Sequence, residues 1–281
     1  MKKVRIIVDS SADMYVSHPQ LDILPMTLRF GDQEYIHGVT MTNTEFYQKL
    51  VESDVIPTTS QIPPSGFSDA FAKAVAAGEQ VVAITVSKKL SGTFQSAMIA
   101  ANDFENDVFV VDSHSVAIGA GILAQYALRL VDKGLCAEEI FRVLIEIRER
   151  MSLFATLDTL EYLKKGGRIS KSVALVGGML SIKPVASISN GEIAVIGKAR
   201  GSKQGNLTLM KEIEKAGGID FDMPYLLGYT GVNDTMLQKF IIESKEMWDG
   251  QPQPLPQTIV GSIVGTHAGP GAVAIAFFRN A

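Results

Sequence analysis

The chain has 281 residues, 46% of them hydrophobic and 20% charged, with a formal net charge of −4. That length allows a large core and two domains, and the acidic balance argues against nucleic acid as the main partner. The mean hydropathy of +0.17 is high, yet no uninterrupted apolar run reaches the roughly 18 residues that a membrane helix needs, so the apolar excess has to be internal. A parallel sheet buried on both faces accounts for it, and so does an additional apolar cavity. Composition does not choose between them.

The segment Met1–Asp9 runs straight into a strand, without the long apolar stretch and cleavage site of a secretory signal. Cys136 is the only cysteine, so an intrachain disulfide is excluded and no cysteine cluster offers a metal site. Both features suit a reducing cytoplasm, and neither a metal nor a cofactor is expected.

The first half alternates short apolar strands with helices. A strand over Val4–Val8 ends in Asp9-Ser10-Ser11-Ala12-Asp13, residues that readily cap a following helix. Helices are predicted at Thr44–Glu52 and Ser65–Ala77, then a strand at Val81–Val86 and a helix from Gly92 to Asn102. A strand at Val108–Val111 and two helices, Ala117–Lys133 and Ala137–Arg150, complete this half, with Gly134 breaking the pair. The pattern implies a parallel sheet with helices on its faces.

The pattern changes near Met151–Thr156, which places a parallel α/β domain at 1–153 and an α+β domain at 154–281. The second half contains the end of a short helix at Glu161–Lys164 and a hairpin of Leu180–Ile188 and Glu192–Ala199 around Ser189-Asn190-Gly191. A helix at Gly205–Ala216, a strand at Tyr225–Tyr229 and a helix at Asp234–Lys245 follow, then an extended loop marked by Pro252, Pro254 and Pro256. Thr258–Gly265 reads as a strand that delivers His267 into the tight turn Gly269-Pro270-Gly271.

Two hydroxyl-rich turns match that histidine in chemistry. Pro57–Gly66 sets Thr58, Thr59, Ser60 and Gln61 beside prolines; Ser65 is expected to cap the next helix, which leaves the others without a capping task. Ser87–Ala97 leads from a strand into a helix N-terminus, where free N–H groups and the hydroxyls of Ser91 and Thr93 favour an anion, although a simple cap uses the same residues. Neutral Ser, Thr and His donors suit a carboxylate without an unpaired buried cation. Arg168 after Gly166-Gly167, and Arg200 before Gly201, are placed to fork onto a carboxylate or phosphate; scattered surface charge is the ordinary alternative.

Taken together, these segments resemble the DegV family of bacterial fatty-acid-binding proteins. The resemblance rests on Val8-Asp9-Ser10-Ser11-Ala12-Asp13, Thr59-Ser60-Gln61, Leu90-Ser91-Gly92-Thr93 with Gln95-Ser96-Ala97, Leu163-Lys164-Lys165-Gly166-Gly167-Arg168-Ile169, Ile182-Lys183-Pro184, Lys198-Ala199-Arg200-Gly201, and Gly265-Thr266-His267-Ala268-Gly269-Pro270-Gly271. It spans nearly the whole chain. It implies one long-chain fatty acid buried in a tunnel between an N-terminal parallel α/β domain and a C-terminal α+β domain, its carboxylate held by Thr59, Ser91 and His267. It further implies a carrier rather than an enzyme. A separate ATP-dependent fatty acid kinase subunit would phosphorylate the bound carboxylate, and an acyltransferase would consume the acyl phosphate in phospholipid synthesis. Arg168 and Arg200, with Ser60 and Thr93, would contact the head group or the phosphoryl group, or dock the kinase. One departure is visible: a single proline is expected two residues after Ser60, where this chain has Ile62 followed by Pro63-Pro64.

The competing reading is an esterase or acyltransferase with Ser91 as nucleophile and His267 as base. The chain has no Gly-x-Ser-x-Gly elbow, and only Asp9 and Asp112, at strand ends, offer themselves to orient the histidine. A binder of some other apolar carboxylate shares the same head-group logic.

Overall fold

The computed structural model describes residues 2–169 and 182–280. In chain order its elements are β1 (Lys3–Asp9), β2 (Leu21–Leu24), β3 (Thr27–Phe30), β4 (Gln33–Ile36), α1 (Asn43–Glu52), β5 (Thr58–Ser60), α2 (Pro64–Ala76), β6 (Glu79–Thr85), α3 (Thr93–Ala101), β7 (Val108–Asp112), α4 (Ile118–Asp132) and α5 (Ala137–Ile147). There follow β8 (Met151–Thr156), α6 (Glu161–Lys165), β9 (Ile182–Ser189), β10 (Glu192–Arg200), α7 (Gly201–Lys215), β11 (Leu226–Tyr229), α8 (Thr235–Glu243), β12 (Gln257–Ile259), α9 (Ser262–Ala268) and β13 (Val273–Phe278). The start of the hairpin strand expected from Leu180 lies outside the described residues.

The protein is of mixed α/β class. One sheet, ordered β2-β1-β6-β7, is wholly parallel. Its central strands carry near-continuous apolar runs because helices cover both faces: Ile6, Ile7, Val8, Val81, Val82, Ala83 and Ile84 are fully buried. A second sheet, ordered β10-β9-β8-β13-β11-β12, is largely antiparallel, with β12 parallel to β11. A small antiparallel sheet, β4-β3-β5, sits beside them. β8 straddles residue 153, the boundary expected between two domains.

Helix α4 explains much of the apolar excess. Ten of its fifteen residues are buried, so it is apolar all round rather than on one stripe. It packs on β1 and β6 of the parallel sheet and on β8, β11 and β13 of the mixed one. The β9–β10 hairpin closes through Asn190 and Gly191, at φ 50° and 80°, the positive pair that a two-residue hairpin turn requires.

Three expectations fail, and one group of strands is new. No helix follows Asp9–Asp13; that segment leads by a loop to β2. Ser65 lies inside α2, whose N-cap is Pro63 without a side-chain bond. The strands β2 to β5 had no counterpart in the sequence reading, being three or four residues long and half polar. Finally, Thr258–Gly265 is not one strand: β12 ends at Ile259 and α9 begins at Ser262, so His267 stands in the last turn of a helix.

Candidate functional site

A cavity of about 240 Å³ lies where the carboxyl ends of β1 and β6 meet the mixed sheet. Most of its wall is apolar, including Met26, Leu90, Val116, Leu153, Leu163 and Ile263. Strand register lays a furrow of small residues along one side. Ala186 pairs with Ala155, Ala155 with Ala274, and Ala274 with Gly228, across β9, β8, β13 and β11. All four line the cavity. Both explanations of the apolar excess therefore hold together: a buried parallel sheet and an apolar cavity.

Polar side chains gather on one part of this wall: Thr59, Gln61, Ser91, Arg168 and His267, with Ser11 nearby. Thr59 comes from β5, where alternation turns Thr58 and Ser60 outward and Thr59 inward. Its Oγ1 lies 3.0 Å from His267 Nε2, a contact across 208 sequence positions. Ile62, at the departure from the expected turn, is buried at 4% exposure among the core side chains of α2, and Thr59 still reaches His267.

Ser91 stands just before α3. Its Oγ lies 2.9 Å from Thr93 Oγ1 and accepts from the Thr93 N–H at 3.3 Å. Gln61 braces this loop against β5: its Nε2 donates to Ser96 Oγ at 3.1 Å, and its amide occupies the space that a side chain at Gly92 would take. Arg168 ties the end of α6 to the same loop, donating through Nε to the Leu90 carbonyl at 3.2 Å and through Nη1 to that of Gly166. The hairpin tip docks alongside, with Ser87 Oγ donating to the Gly191 carbonyl at 2.7 Å.

Burial, and then the positive charge of Arg168, push the His267 imidazolium pKa down to about 4, so the ring is neutral at pH 7. Nδ1 faces Gly166, where even a methyl group would collide with it. Nδ1 has no hydrogen-bond partner among the described residues. Asp9 and Asp112 are engaged elsewhere. Asp9 accepts from Ser11 N, Ser11 Oγ and Val86 N, and Asp112 from Lys88 N and His114 N. Burial raises the Asp9 carboxyl pKa, partly offset by these bonds.

The structure thus brings together Thr59, Ser91, Arg168 and His267. Thr93 is buried one step behind Ser91. Ser60 is exposed on the opposite face of β5, and Arg200 is exposed at the β10–α7 junction; neither lines the cavity. Sequence reasoning missed the bracing role of Gln61 and the contribution of Ser11, although both sit inside motifs it singled out. For a Ser–His hydrolase the geometry is wrong: His267 bonds Thr59 rather than Ser91, and no carboxylate orients it among the described residues.

A sequence profile described as "Uncharacterised protein, DegV family" matches residues 3–280. The chain belongs to the DegV family. A DegV domain-containing protein of Clostridium acetobutylicum is 32% identical over 288 residues, covering 100% of both chains. Among solved structures, a DegV family protein from Thermus thermophilus described as fatty acid binding matches at a TM-score of 0.87 and 26% identity, over 100% of each chain. The fatty acid kinase B3 protein of Streptococcus pneumoniae, loaded with linoleic acid, matches at 0.85 and 23% identity, covering 99% of this chain and 100% of its own. At that identity the likeness is one of fold. Among the described residues of this DegV chain, no helix is long and apolar enough to cross a membrane. Nor is any group of three or more His, Cys, Asp or Glu placed to hold a metal ion.

Proposed function

We propose that this DegV protein binds one long-chain fatty acid in the cavity between its two larger sheets and presents the carboxylate to a separate ATP-dependent kinase. The observation that carries the reading is the cluster of Thr59, Ser91, Arg168 and a neutral His267 on the wall of an otherwise apolar cavity. Fatty acid binding by the Thermus relative and the kinase association of the pneumococcal one support it.

The energetics divide the work. Each buried methylene contributes roughly 0.8 kcal/mol, so a chain of about fourteen contributes on the order of 11 kcal/mol before ordering costs. Charged hydrogen bonds of about 1.5–3 kcal/mol each then fix the head group more than they retain the ligand. Ser91→Ala and His267→Ala should accordingly impair phosphate transfer more than lipid retention. Arg168 belongs with the head group. Arg200, on the outer surface, suits contact with the kinase instead.

Mass spectrometry of lipid extracted from freshly purified protein, with the native mass alongside, tests the binding step. A near-stoichiometric fatty acid lost on denaturation is the expected result. An empty protein that also fails to take up added fatty acid would overturn the reading.

A further inference from the structure

Three consecutive residues leading into α9 are held by side chains from the other end of the chain. Tyr47 Oη donates to the Val260 carbonyl at 2.7 Å. Asp13 Oδ1 accepts from the Gly261 N–H at 2.7 Å. Asn43 Oδ1 accepts from the Ser262 N–H at 3.2 Å. Asp13 comes from the loop after β1, and Asn43 and Tyr47 from the first two turns of α1.

The fit is close. A Cβ at Gly261 would lie 2.6 Å from the His37 ring and 2.9 Å from Asp13 Oδ1; one at Gly265 would collide with Tyr47 and approach Phe46 to 2.8 Å. Asp13 and Tyr47 are buried, at 7% and 0% exposure. Burying a carboxyl and a phenol to satisfy one amide and one carbonyl is an expensive way to lead into a seven-residue helix. What the arrangement adds is a fixed origin. His267 stands five residues on, about 7.5 Å along the axis. At that end its ring must meet Thr59 on one side while clearing Gly166 on the other.

We propose that Asp13, Asn43 and Tyr47 form a socket that sets the position of α9 and thereby holds His267 against Thr59 at the head-group end of the cavity. They are positioning residues, acting through the helix. The proposal rests on the fatty-acid reading for its consequence in binding, but not for its geometry.

The test compares Asp13→Ala, Asp13→Asn and Asn43→Ala in the full chain. Burial raises the Asp13 carboxyl pKa to about 8, so the group is largely neutral at pH 7 and asparagine keeps both its charge state and its acceptor. The first readout is the His267 titration by NMR, assigned with His267→Ala. Asp13→Ala and Asn43→Ala should move the His267 pKa up from about 4 toward 6.5 as α9 slips and the ring is hydrated, while Asp13→Asn leaves it in place. Leu237→Ala, in the separate core beneath α8, controls for general loosening and should lower Tm without moving His267. The second readout is palmitate affinity against that of its methyl ester. The alanine variants should weaken palmitate on the order of tenfold, the loss of one charge-assisted hydrogen bond, and the ester far less. An unmoved His267 titration in both alanine variants overturns the socket, and Asn43→Ala, at a half-buried position, decides if Asp13→Ala does not fold. A wild-type protein that binds no palmitate sinks the fatty-acid reading instead, and the titration still judges the socket.

Discussion

Replacing Ala274 with leucine puts the proposed acyl cavity to its most direct test. Ala274 lies on β13 in the middle of the small-residue furrow, paired with Ala155 on one side and Gly228 on the other. Leucine adds three carbons at a point where the wall is open to the cavity. If each displaces about one ligand methylene at roughly 0.8 kcal/mol, the loss is about 2.4 kcal/mol, or about 60-fold in Kd. The assay is competition by a homologous series of saturated fatty acids on delipidated protein. Long members should lose about that factor, while a member about three carbons shorter than the wild-type optimum should bind as before. Thermal unfolding of the ligand-free variant serves as control, since overpacking would cost about 1–3 kcal/mol whatever the ligand. An equal loss at every chain length, or none, would refute the placement of the acyl chain along this furrow.

Three further outcomes are expected. Gly166→Ala forces His267 off Thr59, so Tm should fall by the equivalent of about 1–3 kcal/mol and the His267 pKa should climb from about 4 toward 6.5, read by NMR. Ser87→Ala releases the Gly191 carbonyl at the hairpin tip and should cost about 1–3 kcal/mol in urea unfolding, because that buried acceptor loses its donor. The third concerns pH. Asp13, raised in the folded state from 3.8 to about 8, gives stability that is complete below about pH 3.8 and is lost as pH rises through 8. His267, lowered from 6.5 to about 4, gives stability present above pH 6.5 and lost as pH falls through 4. The two slopes oppose each other between pH 4 and 6.5. Above that window only Asp13 remains of the pair, and stability should fall by about 1.4 kcal/mol per pH unit up to about pH 8. Asp13→Asn should flatten that decline in urea titrations at pH 6.5 and 8; an unchanged decline would show that another group carries it.

The elements most legible in the sequence are those in which local pattern and tertiary environment agree. β1 and β6 are short apolar runs because they are central in a parallel sheet, and the hairpin turn announces itself through Asn190-Gly191. The segment Ser262–Ala268 misleads for the opposite reason. Ile263, Val264 and Thr266 are β-branched, and Gly265 is a poor helix former, yet the segment is helical, with Tyr47, Asp13 and Asn43 holding Val260, Gly261 and Ser262 at its entry and Gly265 lying against Tyr47. Nothing local to that segment carries this information.

The site was half legible on the same terms. Thr59, Ser91, Arg168 and His267 were marked by motifs, and all four line one cavity. Ser60 shares a hydroxyl-rich turn with Thr59 in the sequence, but alternation along the three-residue strand β5 sends the two side chains to opposite faces. The alanine furrow was invisible, since Ala155, Ala186 and Ala274 become neighbours only through strand register.

Contacts at and behind the cavity wall join distant parts of the chain: Thr59 with His267 across 208 positions, Tyr47 with Val260 across 213 and Asp13 with Gly261 across 248. Such loops are costly to close before the elements between them are in place, so these contacts belong among the last to form during folding. A ligand that fills the cavity these contacts help to shape would bind the folded chain far better than a partly folded one. It therefore stabilises by slowing unfolding rather than by speeding folding, and bound lipid should lengthen the lifetime of the native state while leaving the refolding rate unchanged.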